Sequence, residues 1–213
     1  MERAGPKSGA KSGIVLAHGR GGTARDILGL IAAAGLTDIA AIAPEAPEQS
    51  WWPTSFLAPT AAVGPFVEQA ISAMMTGVAA LEAQGLARDR IWLAGFSQGA
   101  CLALETFARG RAGLAGVLAF SGGLLGTSDK GDVADEALYG HPAKAFDYAD
   151  RRDGARVWLS VHERDPHIPV KRVKDSVTVL RGLGASVEST IYPGAGHRLM
   201  PADLATLQGW LRS

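Results

Sequence analysis

The sequence predicts a single-domain α/β fold in which a mostly parallel central sheet carries helices on both faces. Short, continuous apolar runs such as residues 13–17 and 157–161 are typical of strands that are covered on both faces. Between such runs, apolar residues recur at helical spacing, most clearly over residues 65–84. Strands that alternate with helices form a parallel sheet, and 213 residues suffice for one domain with a sizeable core.

The elements follow one another without a repeat or a linker that would divide the chain. Thr23, with Asp26 three residues later, predicts a capping box at the start of the first helix, and Gly35 ends that helix. The helical periodicity of the second helix begins at Pro65, and Pro201 favours the start of the last helix because proline suits the first helical position. The predicted strands are residues 13–17, 39–43, 91–94, 114–120, 157–161 and 186–192, and the predicted helices are residues 24–34, 65–84, 98–109, 169–183 and 201–211.

Two stretches lack a regular pattern. Residues 1–12, rich in Gly, Lys and Ser, are predicted to be a flexible N-terminal tail before a domain at residues 13–213. Residues 126–154 mix charged and small residues without periodicity, and they are interpreted as an irregular excursion and a candidate cap over the site.

The composition argues against several classes of partner and site. Lys plus Arg and Asp plus Glu each number 21, so the net charge is zero and no nucleic acid or anionic membrane surface is expected as a partner. Cys101 is the one cysteine, which excludes an internal disulfide and a multi-cysteine metal site; we expect a buried, unreactive filler. The sequence shows no apolar leader and no membrane-spanning run, so a cytoplasmic protein without membrane insertion is expected.

Residues 91–102 are the stretch around which the predicted site is organised. An apolar strand leads into Gly95-Phe96-Ser97-Gln98-Gly99, and a helical pattern follows. The two glycines let the strand and the helix approach closely, because a glycine has no Cβ. A Gly-x-Ser-x-Gly turn in this context is typical of a nucleophile elbow, which lifts the serine hydroxyl above the edge of the sheet. The alternative is that Ser97 is only a small residue in a tight turn.

Three ends of predicted strands carry Ser97, Asp165 and His197. Sites in parallel α/β sheets gather at the carboxyl ends of the strands, so these side chains are expected to meet. A serine hydroxyl needs a neighbouring base, histidine is suited to that role, and a carboxylate on the far ring nitrogen fixes the tautomer. Ser, Asp and His in that chain order are expected for α/β-hydrolases. The sequence therefore predicts a catalytic triad.

Other residues compete for two of these positions. Glu163 is the substitute acid, and Asp165 could instead be an ordinary turn residue before Pro166. His197 occupies a glycine-flanked loop after the last predicted strand, which favours it as the base. The remaining histidines are His18, His141, His162 and His167, of which His167 is interpreted as loop structure.

Acyl transfer also needs hydrogen-bond donors for the charge that develops on the carbonyl oxygen. The residue after the nucleophile supplies one backbone N–H, here that of Gln98, at the start of a helix whose dipole favours negative charge. The second is expected from the loop at residues 18–22, where the N–H of Arg20 is the candidate. The alternative, a phosphate cradle, is disfavoured because this loop has neither the dinucleotide fingerprint nor a following Gly-Lys-Ser/Thr sequence.

Four segments together resemble the phospholipase/carboxylesterase branch of the α/β-hydrolase superfamily, which includes acyl-protein thioesterases and small bacterial carboxylesterases. They are residues 16–22 (Leu-Ala-His-Gly-Arg-Gly-Gly), 95–100 (Gly-Phe-Ser-Gln-Gly-Ala), 165–169 (Asp-Pro-His-Ile-Pro) and 194–197 (Gly-Ala-Gly-His). The resemblance implies an α/β-hydrolase with a minimal cap that cleaves carboxylic esters without a metal or organic cofactor. It also implies the roles assigned above to the triad and to the two oxyanion N–H groups.

The predicted function is a serine carboxylesterase that acts on small or medium soluble esters through an acyl-enzyme intermediate. Arg20 stands where thioesterases of this branch usually carry an apolar residue, which counts against a long-acyl protein substrate. Alternatives are a thioesterase or acyltransferase with the same triad, and a non-catalytic small-molecule binder on the same fold. The oligomeric state is left open, with a homodimer as one alternative. The residues predicted to line the acyl or alcohol pocket, with plain core packing as the alternative for any of them, are Trp51, Trp52, Phe56, Leu124, Ile168 and Leu199.

Overall fold

The structure is a computed structural model that describes residues 1–110 and 112–212. Its strands are β1 (Glu2–Ala4), β2 (Gly13–Ala17), β3 (Ala40–Ala43), β4 (Ile91–Phe96), β5 (Gly116–Phe120), β6 (Ala134–Asp135), β7 (His141–Pro142), β8 (Arg156–Arg164) and β9 (Ser186–Ala195). Its helices are α1 (Ala24–Ala33), α2 (Thr60–Glu82), α3 (Gln98–Arg109), α4 (Val170–Gly182) and α5 (Pro201–Arg212). None of the helices in this part of the chain combines the length and the hydropathy that crossing a bilayer requires.

Seven strands of the described chain form one sheet in the order β1-β3-β2-β4-β5-β8-β9. All neighbouring strands run parallel except β1, which pairs antiparallel with β3. The predicted fold class is therefore confirmed. After β2 the chain adds β3 on one side and β4 on the other, so the strand order changes direction between β2 and β4. Ligand sites of such sheets form where the strand order changes direction.

Alternate residues of each strand point to opposite faces of the sheet, and each face has its own core. On β2, Val15 belongs to the core that α2, α3 and α4 cover, whereas Leu16 belongs to the core that α1 and α5 cover. Helix α3 is buried along its length, from Gln98 to Ala108. The helix that follows Ser97 is therefore a rigid element held inside the domain.

The N-terminal segment differs from the predicted flexible tail, because Glu2–Ala4 forms the edge strand β1. Glu2 pairs with Ala43, and Ala4 pairs with Ala41. The strand has three residues, two of them charged and exposed. It is stabilised by backbone hydrogen bonds to β3 instead of by buried side chains, so no pattern of apolar residues indicates it.

Several elements extend beyond their predicted bounds. Helix α2 begins at Thr60 and contains Pro65, so this proline does not mark the start of the helix. Strand β8 continues to Arg164, and β9 continues to Ala195. The two strands pair with each other past an irregularity near His162, which places residues predicted to be loop within the sheet. Pairing with a neighbouring strand outweighs the polar character of these residues.

Residues 126–154 contact α2, α3 and α4 instead of lining the site, so their interpretation as a cap over the site is wrong. None of the described residues that line the cavity at Ser97 lies in this segment. Tyr148 instead donates from its hydroxyl to the buried carboxylate of Glu105 on α3, at 2.7 Å. Tyr139 donates to the backbone carbonyl of Asp165 and ties the segment to the turn after β8.

Arg152, near the end of this segment, caps the C-terminal end of α3. Its Nε donates to the carbonyl of Phe107 at 2.6 Å, and its Nη2 donates to the carbonyl of Ala108 at 2.7 Å. The same Nη2 lies 2.7 Å from the carbonyl oxygen of Gly110. The last carbonyls of a helix have no partner within the helix, and here a side chain that is only 3 % exposed supplies it.

Replacement of this buried guanidinium should destabilise the protein. We expect Arg152→Met to lower the free energy of unfolding by about 3 kcal/mol, because buried carbonyl groups lose charged donors. The neighbouring Arg151 is exposed and paired with Asp153, so Arg151→Ala is the matched control and should change little. Urea unfolding followed by circular dichroism measures both. Equal effects of the two substitutions would contradict the capping role of Arg152.

Candidate active site

Ser97 lies in a strained turn between β4 and α3. Its φ and ψ angles are 56° and −120°, a conformation that a non-glycine residue adopts at a cost. Two close backbone approaches enforce the turn. A Cβ on Gly95 would lie 2.2 Å from the carbonyl oxygen of Gly99, and a Cβ on Gly99 would lie 2.0 Å from the carbonyl oxygen of Ala17. The turn therefore has the geometry expected of a nucleophile elbow.

The structure brings together the three side chains that the sequence places at strand ends. His197 Nε2 lies 2.8 Å from Ser97 Oγ. His197 Nδ1 lies 2.8 Å from Oδ2 and 3.0 Å from Oδ1 of Asp165. A neutral imidazole with its hydrogen on Nδ1 satisfies both contacts, because it donates to the carboxylate and accepts from the hydroxyl. The arrangement is suited to moving a proton from the serine to the histidine.

Asp165 is held in its ionised form. Burial would raise the pKa of this carboxyl, but hydrogen bonds from the His197 ring and from the amides of His167 and Ile168 outweigh burial and lower it. Those two amides lie 2.9 and 3.0 Å from Oδ1. The carboxylate side chain is fully buried. A negative charge thus stays fixed beside Nδ1 of the imidazole across the neutral pH range.

The competing side chains have other contacts. The carboxylate of Glu163 is directed to the Gly194 amide, at 3.3 Å, and to Arg164, at 3.4 Å. His162 is buried on β8, and its ring lies against Gly196, where a Cβ would come within 2.8 Å of it. His141 lies on β7, away from the residues that line the cavity at Ser97.

His18 orders the loop after β2. Its Nδ1 lies 2.8 Å from the carbonyl oxygen of Gly19, and its Nε2 accepts from the Ala46 amide at 3.1 Å. Trp51 donates from its indole N–H to the His18 carbonyl at 2.9 Å. This histidine therefore positions the loop at residues 18–22, a role for which the sequence pattern has no distinctive feature.

Both residues predicted for the oxyanion hole lie at the site. Gln98 is the first residue of α3, so its amide has no acceptor within the helix. Gly19 lies against the elbow, since a Cβ on it would be 3.4 Å from Ser97 Cβ, and Arg20 follows it. The geometry is compatible with two N–H groups directed at one oxygen; their role in catalysis stays a prediction.

The side chains of the same two residues hold the loop at residues 49–54. Gln98 accepts from the Trp51 amide at 3.0 Å and donates to the Trp52 carbonyl at 2.8 Å. Arg20 donates from Nη1 to the Pro53 carbonyl at 3.1 Å and from Nη2 to the Thr54 carbonyl at 2.6 Å. The candidate oxyanion hole and this loop therefore form one hydrogen-bonded unit.

A cavity of about 500 Å³ opens above Ser97, and we call it the active-site cavity. The loop at residues 52–56 lines it, together with Phe96, His167, Ile168 and His197. Three predicted lining residues are present, namely Trp52, Phe56 and Ile168. The cavity is of the size that small-molecule sites have.

Three other predicted lining residues lie elsewhere, and those predictions are wrong. Leu124 is fully buried in the core that α4 covers, where its amide bonds Ser176 Oγ. Leu199 packs on the opposite core, against the face with α1 and α5. Trp51 turns its indole to the His18 carbonyl and away from the cavity. All three lie in loops that follow strands, but the packing of the domain directs their side chains away from the active-site cavity.

Several lining residues were not predicted from the sequence. Phe96 precedes the nucleophile, and its ring packs on that of His197 with centroids 5.1 Å apart. His167, interpreted as loop structure, also contacts His197, at 4.9 Å and edge-on. Phe96 adjoins Ser97 in the sequence and His167 lies two residues after Asp165, which is the one feature that could have indicated them.

Cys101 lies beneath the cavity and is fully buried, as the sequence predicts. Burial raises the pKa of its thiol to about 12, so it is an inert packing group at neutral pH. The described residues contain no group of three or more His, Cys, Asp or Glu side chains placed to hold a metal ion.

Comparison with known proteins identifies the family. A model of the phospholipase/carboxylesterase family matches residues 4–130, which is more than half of the chain. The chain belongs to this family. The matched residues of this phospholipase/carboxylesterase family member include the loop after β2, the elbow and the loop at residues 49–54. They end before Asp165 and His197.

Individual relatives agree with this family assignment. The chain is 31% identical over 128 residues to acyl-protein thioesterase 1 of Gibberella zeae, a match that covers 60% of the chain and 49% of that relative. It spans about half the length of the curated relatives that it matches. A crystal structure of a phospholipase/carboxylesterase from Dyadobacter fermentans is 35% identical, with a TM-score of 0.85, and the match covers 100% of this chain and 95% of that one. Esterase PE8 is 29% identical, with a TM-score of 0.73 and coverage of 100% and 99%.

The closeness of the elbow to β2 predicts that it tolerates no added side chain. We expect Gly99→Ala to lower the free energy of unfolding by at least about 3 kcal/mol, because the new methyl group would overlap the backbone of Ala17. Gly29, on the exposed side of α1, has open space around it, so Gly29→Ala should instead stabilise the helix by about 0.5–1 kcal/mol. Thermal and urea unfolding measure both changes, and a neutral Gly99→Ala would be inconsistent with the described turn.

Proposed function

We propose that the protein is a serine carboxylesterase that cleaves small or medium esters through an acyl-enzyme intermediate. One observation carries this proposal. Ser97 Oγ, His197 and Asp165 form a continuous chain of contacts of 2.8 Å and 2.8 Å at the mouth of a cavity. A non-catalytic binder would have no need of a hydroxyl placed against a base that is itself oriented by a buried carboxylate.

The first half of the proposed reaction forms the acyl-enzyme. His197 Nε2 takes the proton of the Ser97 hydroxyl while the oxygen attacks the ester carbonyl carbon, and the carbonyl π electrons move to its oxygen. The N–H groups of Arg20 and Gln98 donate to that oxyanion. The negative charge of Asp165 stabilises the imidazolium. Collapse of the tetrahedral intermediate expels the alkoxide, which takes the proton from Nε2 and leaves as the alcohol.

The second half repeats the steps with water in place of the serine. Nε2 accepts a proton from water as the hydroxide oxygen attacks the acyl carbon, and Ser97 Oγ then leaves and recovers that proton. The carboxylic acid is released. Asp165 stays ionised throughout the cycle, because the hydrogen bonds that its carboxylate accepts keep its pKa low.

The cavity gives the substrate an orientation. The leaving oxygen must lie near His197 Nε2, which protonates it, so the alcohol group belongs on the side of His167 and Ile168. We place the acyl group toward the loop at residues 52–56, which lines the same cavity. Trp52 and Phe56 supply apolar surface there, which favours an aliphatic acyl chain.

The family supports hydrolysis and leaves two substrate classes. The relatives carry the names phospholipase/carboxylesterase, esterase and acyl-protein thioesterase, so a thioester is the second candidate. Arg20, a cation bound to the cavity wall, reduces the apolar surface that a long acyl chain would contact. This counts against the long acyl group of a protein thioester, and for that reason we favour a small or medium oxygen ester. The cytoplasmic location and the oligomeric state stay predictions.

Removal of the nucleophile should abolish turnover. We expect Ser97→Ala to lower kcat for p-nitrophenyl butyrate by about 10⁶-fold and Asp165→Asn to lower it by about 10⁴-fold, because the amide favours the wrong tautomer of His197. Glu163→Gln is the matched control, since that carboxylate makes no contact with His197, and it should retain activity. Full activity of Ser97→Ala would exclude the proposal, and a fluorophosphonate probe that fails to label folded wild-type protein would favour a binder.

A matched pair of substrates, an oxygen ester and a thioester, distinguishes a carboxylesterase from a thioesterase. We expect kcat/KM for an S-butyryl thioester to be no greater than for the corresponding oxygen ester, because both present the same acyl group to the cavity and the same carbonyl carbon to Ser97. The assay is repeated with added alcohol, and the ester formed is measured. A preference of more than tenfold for the thioester would favour the thioesterase, and ester exchange that outpaces hydrolysis would favour an acyltransferase.

A further inference from the structure

A second cavity of about 630 Å³ lies directly behind the wall of the active-site cavity. It is lined by residues between positions 45 and 53, which include prolines and tryptophans as well as the polar Glu45, Glu48 and Ser50, and by four residues of α2. On α2, Phe66, Ala70 and Ala73 are spaced as one face of a helix, and Gln69 lies beside them. Phe66 is 43 % exposed, which is uncommon here for a large apolar side chain. The second cavity therefore offers apolar surface close to the acyl side of the site.

Arg20, Trp52 and Pro53 line both cavities, so these residues form the partition between them. Trp52 is 1 % exposed, and its carbonyl is bonded by Gln98. Its indole Nε1 is buried without a hydrogen-bond partner among the described residues. The two cavities therefore share lining residues, and the buried Trp52 is one of them.

The guanidinium of Arg20 fastens this partition. It donates to two consecutive carbonyl groups, of Pro53 at 3.1 Å and of Thr54 at 2.6 Å. Such a two-pronged contact depends on the planar fork of arginine, which a single ammonium or an apolar side chain cannot reproduce. The loop at residues 53–54 is exposed apart from this contact, so the guanidinium is its main attachment to the loop after β2.

We infer that Arg20 sets the acyl-length limit of the enzyme by holding shut the partition between the active-site cavity and the second cavity. The inference rests on the proposed esterase function, in which the acyl chain points toward residues 52–56. With the guanidinium in place, a chain that reaches the partition stops there. Without it, the chain continues into the apolar space beside Phe66 and Ala73.

The test compares acyl chains of two lengths. In the wild type, kcat/KM for p-nitrophenyl octanoate should be below that for the butyrate. Arg20→Ala should raise the octanoate-to-butyrate ratio of kcat/KM at least tenfold, because each methylene that enters an apolar cavity contributes roughly fourfold. If the substitution also shifts the Arg20 backbone N–H, kcat/KM falls for both substrates by the same factor, and that factor cancels in the ratio. Arg20→Met, which keeps the length of the side chain but cannot donate, should change the ratio in the same direction.

Two controls assign the gain to the second cavity. Adding Ala73→Phe to Arg20→Ala fills the second cavity from α2 and should return the ratio to within about twofold of the wild type, with Ala73→Phe alone as its reference. Arg25→Ala removes a neighbouring exposed cation that lines neither cavity and should leave the ratio unchanged. A gain that survives Ala73→Phe would overturn the inference.

Binding without turnover provides an independent measurement. On the Ser97→Ala background, intact p-nitrophenyl octanoate should bind at least tenfold more tightly when Arg20 is also replaced by Ala, as measured by equilibrium dialysis. An unchanged affinity together with an unchanged ratio in active enzyme would reject the inference and leave the esterase proposal intact. Full activity of Ser97→Ala would instead reject the esterase proposal itself.

Discussion

The site depends on how closely the backbone of α3 approaches the end of β2. With no side chain on Gly95 or Gly99, the chain reverses within a few residues and presents Ser97 with φ of 56°. That conformation directs the hydroxyl to His197 and leaves the amide of Gln98 at the start of a helix. The cost of the strained residue is offset by a helix that is buried along its length. A rigid helix inside the domain is therefore the support on which the reacting groups rest.

The groups that would bind the oxyanion and the groups that shape the cavity are not separate. Gln98 and Arg20 each place a backbone N–H near Ser97 and a side chain on the loop at residues 51–54. His18 joins the same unit through Trp51 and Ala46. The side chains of Gln98 and Arg20 bond backbone atoms of the loop. The loop can therefore keep its position when the side chains on its surface are changed.

The sheet and the triad could be predicted from the sequence for a physical reason. Buried parallel strands need continuous apolar runs, and the chain order places the ends of those strands on one edge. The tight turn at Ser97 needs glycines, and Gly95 and Gly99 can be recognised directly in the sequence. Strand β1 could not be predicted, because its stabilisation comes from backbone pairing with β3. The prediction of the lining residues was correct for Trp52 and Ile168 but not for Leu124 and Leu199. The side chains of the last two point into the core nearest to each, which the sequence pattern does not reveal.

The double use of Gln98 and Arg20 has a consequence for protein engineering. If the proposed oxyanion role holds, reaction rate and substrate range are coupled, because a side-chain change at either position that shifts the loop can also shift the backbone N–H. Residues of α2 that face the space behind the loop lie outside this coupling. Variation there would alter which molecules fit while the reacting centre keeps its geometry.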